Sequence, residues 1–120
     1  MNNFQTKQQQ LEERLLNFSI EILKICKSMK ISAINRSVID QLIRSSTSIG
    51  ANYTEANNAS SKSDFRNKIF IAKKEASETR YSLKILSEIE SEINLTGLID
   101  ECSQVIMIMQ KIVTTLKAAK

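Results

Sequence analysis

Apolar residues recur along this chain at alternating steps of four and three, in four separate runs. The first is Leu11, Leu15, Phe18, Ile22, Ile25 and Met29. Such spacing places side chains on one face of an α-helix and predicts a helix from about Gln10 to Met29. "KISAIN" breaks the pattern. The second run is Val38, Leu42, Ser45, Ile49, Asn52 and Ala56, and it passes through a stretch rich in Ser, Thr and Asn, "LIRSSTSIGANYTEANNASSKSDF". The persistent spacing predicts helix through Leu42 to about Ala56. Ser, Thr, Asn and Gly50 all disfavour helix interiors, so this helix must be held by tertiary packing. Small side chains at Ser45 and Ala56 would let a neighbouring helix approach closely.

"NNASSKSDF" is the next break. Ser61 followed by Asp64 resembles a capping box and predicts a third helix from about Lys62 to Glu92. Its seam is Phe65, Ile69, Ala72, Ala76, Thr79, Leu83 and Leu86, small at the centre. Two successive helices with small residues on their seams predict a tight antiparallel hairpin. "NLTG" ends the third helix, and Thr96 is the expected N-cap of a fourth, whose seam is Leu98, Cys102, Val105, Met109, Ile112 and Leu116. Four helices with short connections predict an all-α fold, an antiparallel up-down-up-down four-helix bundle spanning residues 10–120 behind a flexible tail over residues 1–9.

Composition agrees. The 120 residues include no Pro and two Gly, so little punctuates the chain as hairpins would require. The net charge of +4 permits an anionic partner without demanding one. The opening "MNNFQTKQQQ" is not a signal peptide, and no run approaches the roughly 18 apolar residues of a membrane span. A cytoplasmic protein without membrane attachment is expected, with Cys26 and Cys102 as reduced, structural thiols.

One helix is too apolar for a lone bundle. "VIMIM", Val105 to Met109, covers the whole circumference, and Ile99, Ile106 and Val113 form a second stripe. The first helix has its own second stripe, Leu16, Ile20 and Leu23. Apolar surface on all sides predicts burial on all sides, and hence self-association of the chain; the alternative is a slightly overfilled monomer core.

Chemistry has few places to reside. The chain lacks His, which excludes a His-based triad, a His-containing zinc site and a Glu-x-x-His di-iron site. The two Cys lack metal spacing, and the two Gly make no phosphate loop. No enzyme activity, cofactor or metal is expected. Glu75 and Glu78 could be paired carboxylates, but Lys74 lies four residues before Glu78, in reach for an ion pair. Arg44, Ser48 and Glu55, with Asn52 at the edge, form a polar strip expected to face a neighbouring helix.

The third helix carries the candidate binding surface. Arg66, Lys73 and Arg80 are seven apart and Lys84 is one turn further, all within about 40° on the helical wheel. Phe70 and Tyr81 lie beside this stripe, with Lys74 near them. Cations edged by aromatics suit a nucleic-acid backbone, RNA or DNA, through phosphate neutralisation and base stacking. The alternative is an ordinary solvated face. Arg80 has a second option, an ion pair with a carboxylate on a neighbouring helix such as Glu55.

"DQLIRSSTSIGANYTEA" followed by "DFRNKIFIAKKEASETRYSLKIL" resembles the four-helix-bundle proteins encoded within intervening sequences of bacterial large-subunit ribosomal RNA genes, a family to which the accessory variability proteins of diversity-generating retroelements are related. The likeness is strong over Asp40 to Leu86. It implies an antiparallel bundle assembled as a homopentameric ring with a basic surface. The matching positions are Arg44, Asn52 and Glu55 with Phe65, Glu75, Glu78, Arg80 and Tyr81. Two functions stand open: a nucleic-acid or ribonucleoprotein accessory factor using the basic stripe, or a protein-interaction scaffold with no nucleic-acid role.

Overall fold

The computed structural model describes residues 5–118, and side chains as far as Leu116. It contains four helices, α1 (Lys7–Ser28), α2 (Arg36–Asn57), α3 (Lys62–Ile89) and α4 (Thr96–Ala118). No helix among the described residues is long and apolar enough to cross a membrane.

The helix ends follow local hydrogen bonding. α1 begins at Lys7, three residues before the expected start at Gln10. Thr6 accepts from the Gln9 N–H at 3.0 Å and the Gln9 side chain accepts from the Thr6 N–H at 3.0 Å. This reciprocal cap satisfies two orphan donors and makes Lys7–Gln9 helical. The expected nine-residue tail is therefore shorter, and its first four positions lie outside the described residues. Ser61 caps α3 through the Asp64 N–H at 3.0 Å. α3 ends at Ile89 rather than Glu92, closed by the Glu90 N–H on the Leu86 carbonyl. The side chain that caps α4 is Asn94, which accepts from the Thr96 N–H at 3.0 Å, and not Thr96 as expected.

Pairs between helices give the directions. Ser19 donates to the Ser46 carbonyl and Asn57 to Glu12, so α1 and α2 run antiparallel. Arg44 reaches Glu75 while Lys68 reaches Glu55, so α2 and α3 do too. The Cys102 thiol meets the Ala76 carbonyl, and Phe65 shares surface pockets with Ile108 and Ile112, so α4 returns along α3. The result is the up-down-up-down bundle. It is flattened, 47 × 36 × 21 Å, because α1 and α4 meet far more loosely than the other neighbours.

The four seams form one core. Leu15, Phe18, Ile22, Leu42, Ile49, Ile69, Leu83, Leu86, Val105 and Met109 are buried in it. Val113, expected on the outer stripe of α4, is buried as well. α2 and α3 make the closest contact in the bundle. Ser45, Ala56, Ala72, Ala76 and Thr79 are all buried there, and the Thr79 hydroxyl donates to the Ser45 hydroxyl at 2.9 Å. A Cβ added at Gly50 would stand 3.4 Å from the Leu15 Cβ, so Gly50 sits where α1 crosses α2. The polar residues of the quoted stretch thus serve helix packing, and their weak helix propensity is offset by burial.

Both cysteines are free and buried. Burial pushes the Cys102 thiol up to about 12, so it stays protonated at neutral pH and acts as a small core residue.

Ala56 is 2% exposed, buried in the core. Ala56→Leu is expected to lower stability by about 1–3 kcal/mol through overpacking, measured by urea denaturation. An unchanged midpoint would show that this face does not pack against α3.

Candidate nucleic-acid interface

α3 carries charge on both flanks of its buried seam, and the structure treats the two flanks differently. On the flank facing α2 the charges are paired. Arg44 lies 3.3 Å from a Glu75 carboxylate oxygen and 3.7 Å from one of Glu78, and Lys68 lies 3.0 Å from Glu55. Glu75 and Glu78 are therefore bridge partners of α2, and Arg44 takes the place expected of Lys74. Ser48 and Asn52 bond to α2 carbonyls one turn back. The polar strip of α2 faces α3, as its spacing suggested, and its charged members hold the two helices in register.

Glu75 is the more enclosed of the two carboxylates. Desolvation raises its pKa above the usual carboxylate range, and neighbouring Glu78 raises it further, while Arg44 opposes both effects. Burial is the larger cause, and the like charge of Glu78 on the next turn adds to it.

The flank facing α4 holds Lys73 and Arg80, with Arg66 and Lys84 slightly further out. None of the four makes an ion pair among the described residues. Arg66 and Lys84 are exposed, while Lys73 and Arg80 are half-buried. Arg80 does not reach Glu55. It donates to the Ser103 hydroxyl on α4 at 3.3 Å, a neutral partner that positions the guanidinium and leaves its charge uncompensated. Around Ser103 α4 is uncharged, residues 102–110 reading "CSQVIMIMQ", with Asp100 one turn before Ser103 and Lys111 just after the segment. Ser103 and Gln110, seven apart, share a face of α4. The stripe runs about 27 Å along α3. It lies at the α3–α4 edge, with cations on one wall and, over residues 102–110, neutral side chains on the other.

The aromatics sit where the sequence put them. Phe70 is 40% exposed and Tyr81 69% exposed, both outward of the stripe. Lys74, grouped with the stripe in the sequence analysis, is exposed but about 100° round the helix from Lys73. It lies beyond Phe70 and is not part of the α3–α4 edge. Ser103 could not be found from sequence, because nothing in the spacing of α4 says which of its polar residues meets α3.

Among the described residues no group of metal-ligating side chains is present, and the arrangement is a line of uncompensated positive charge. The family described as "23S rRNA-intervening sequence protein" matches residues 7–111, nearly the whole bundle. This chain belongs to that family. A crystal structure of a protein of unknown function from the S23 ribosomal protein family, from Bacteroides thetaiotaomicron VPI-5482, shares 32% identity with a TM-score of 0.75. The match covers 85% of this chain and 96% of that one. No curated protein matches the chain.

The raised pKa of Glu75 has a measurable sign. A carboxyl whose folded pKa exceeds its unfolded value favours folding below the ordinary carboxylate range and loses that contribution as pH rises through the folded pKa. Glu75→Gln is therefore expected to match or exceed the parent in stability at pH 7, and this advantage should vanish by pH 4. Urea denaturation at the two pH values checks it, and a variant less stable than the parent at pH 7 but not at pH 4 would reverse the sign.

Proposed function

We propose that this protein is a non-catalytic, self-associating accessory factor that lays the α3–α4 edge along a nucleic-acid backbone. The observation that carries the reading is the asymmetry of α3. Its α2 flank neutralises its charges internally, while Arg66, Lys73, Arg80 and Lys84 stand together without a carboxylate partner. Unpaired cations in a line attract a polyanion through counterion release, and exposed Phe70 and Tyr81 offer faces for unstacked bases. The edge presents no groove-reading element, so binding should depend weakly on sequence.

Self-association is supported by surface the bundle leaves uncovered. Met107 is 70% and Leu16 57% exposed, and Ile20 and Leu23 extend the α1 stripe. Beside that stripe lie the short side chains of Thr47, Gly50, Ala51 and Thr54, which leave a groove of about 610 Å³ between α1 and α2. Apolar surface of this kind on a small domain is buried against another subunit. The resemblance to ring-forming relatives favours five copies. Each copy would repeat the basic edge and raise the local potential. The same exposed apolar surface also supports a second reading, a scaffold that recruits a protein and binds no nucleic acid.

Fluorescence anisotropy with a labelled single-stranded RNA separates the two. For the parent, affinity should fall steeply with salt. Lys73→Glu with Lys84→Glu should weaken binding by about tenfold or more and make the salt slope shallower by roughly 1.4, since each lost phosphate contact removes about 0.7 on a single strand. The variant should melt like the parent and, like it, sediment as an oligomer. If a folded double variant binds RNA and DNA as well as the parent does, the stripe is a solvated face and the scaffold reading stands. A monomer at micromolar concentration would contradict the assembly.

A further inference from the structure

The loosest junction of the bundle lies between α1 and α4. It is closed at one level by Arg14, whose guanidinium grips Glu101 with two bonds of 2.7 and 2.8 Å and also donates to Gln104 at 2.9 Å. Beside this clasp is an open cleft of about 660 Å³. Its apolar surface comes from Phe18, Ile25 and Leu98, the last two half-buried at the edge of the core. Its charged lining is acidic: Glu13, Glu21 and Glu101 against Arg14 alone. The one cation is already engaged by Glu101. Glu21 has no ion pair among the described residues, and Glu13 accepts only from the Gln5 amide. On a chain of net charge +4, this is a local reversal of sign.

We propose that the α1–α4 cleft docks a basic amphipathic helix of a partner protein. An amphipathic helix is recognised by a groove through apolar anchors at helical spacing, and charge on the groove's rim selects the complementary flank. Ile25 and Leu98, half-buried at the edge of the core, provide the apolar contact. Glu13 and Glu21 are eight residues apart on α1, about 12 Å, so the occupant carries Lys or Arg two turns apart beside its anchors. A nucleic acid does not suit this cleft, since its phosphates would meet carboxylates. The cleft lies on the α1 side of α4 and the basic edge on the α3 side, so both can be occupied at once. The partner helix and the nucleic acid would then be held on opposite flanks of one helix.

The test uses two fluorescein-labelled synthetic helices of about five turns, with Leu at helical spacing on one face and either Lys or Glu elsewhere. The Lys peptide is expected to bind the full-length parent in a salt-dependent way, and the Glu peptide to show no binding. Glu13→Lys with Glu21→Lys should weaken the Lys peptide about tenfold or more while leaving RNA affinity undiminished, and the milder Glu21→Gln should weaken it less, with an unchanged melting curve. Methyl NMR shifts induced by the Lys peptide should appear at Ile25 and Leu98. The proposal is overturned by equal binding of both peptides, by binding indifferent to the charge changes, or by shifts confined to Leu16, Ile20 and Leu23. It is also overturned if the double variant merely dissociates the oligomer while peptide binding persists, which would make the cleft an interface between copies.

Discussion

The hydroxyl-to-hydroxyl bond between Ser45 and Thr79, 2.9 Å long and fully buried, requires two helix backbones to lie close together. Long side chains at those positions would hold α2 and α3 apart. The small residues on both seams allow the approach, and tertiary packing keeps α2 helical against its own poor propensity. Close approach also brings the flanks of the two helices within ion-pair distance, which is how Arg44 reaches Glu75 and Glu78 and how Lys68 reaches Glu55. These partly exposed bridges add little energy individually, but they fix the register of α3 against α2.

That register decides which charges remain available. Once α3 is seated on α2, its opposite flank turns toward α4, which is uncharged over residues 102–110. Arg66, Lys73, Arg80 and Lys84 therefore remain uncompensated as a consequence of the same packing that engages the carboxylates of α3. The fold and the candidate interface have one origin in this respect: the sorting of charge between the two sides of a single helix.

Most of the bundle was legible in the sequence because heptad spacing survives composition. Even the Ser- and Thr-rich stretch kept its four-and-three steps, and Ser45 and Ala56 are buried as that spacing required. The start of α1 was misplaced because Lys7 to Gln9 are polar and carry no periodicity, although Thr6 and Gln9 had the spacing of a reciprocal cap. Val113 was assigned outward because a wheel shows angles and not how far a neighbouring helix wraps round. The basic stripe was visible as a period of seven. Its setting was not, since pairing partners such as Ser103 for Arg80 and Arg44 for Glu75 depend on which helix lies beside which.

Amide chemical-shift mapping with a short single-stranded RNA tests the central claim most directly, because it asks where on α3 the polyanion lies. The account predicts shifts along Arg66, Lys73, Arg80 and Lys84, spreading to Ser103 and Gln110 across the edge, with the paired flank around Arg44, Glu55 and Lys68 unmoved. Shifts centred on that paired flank, or on α1, would contradict it.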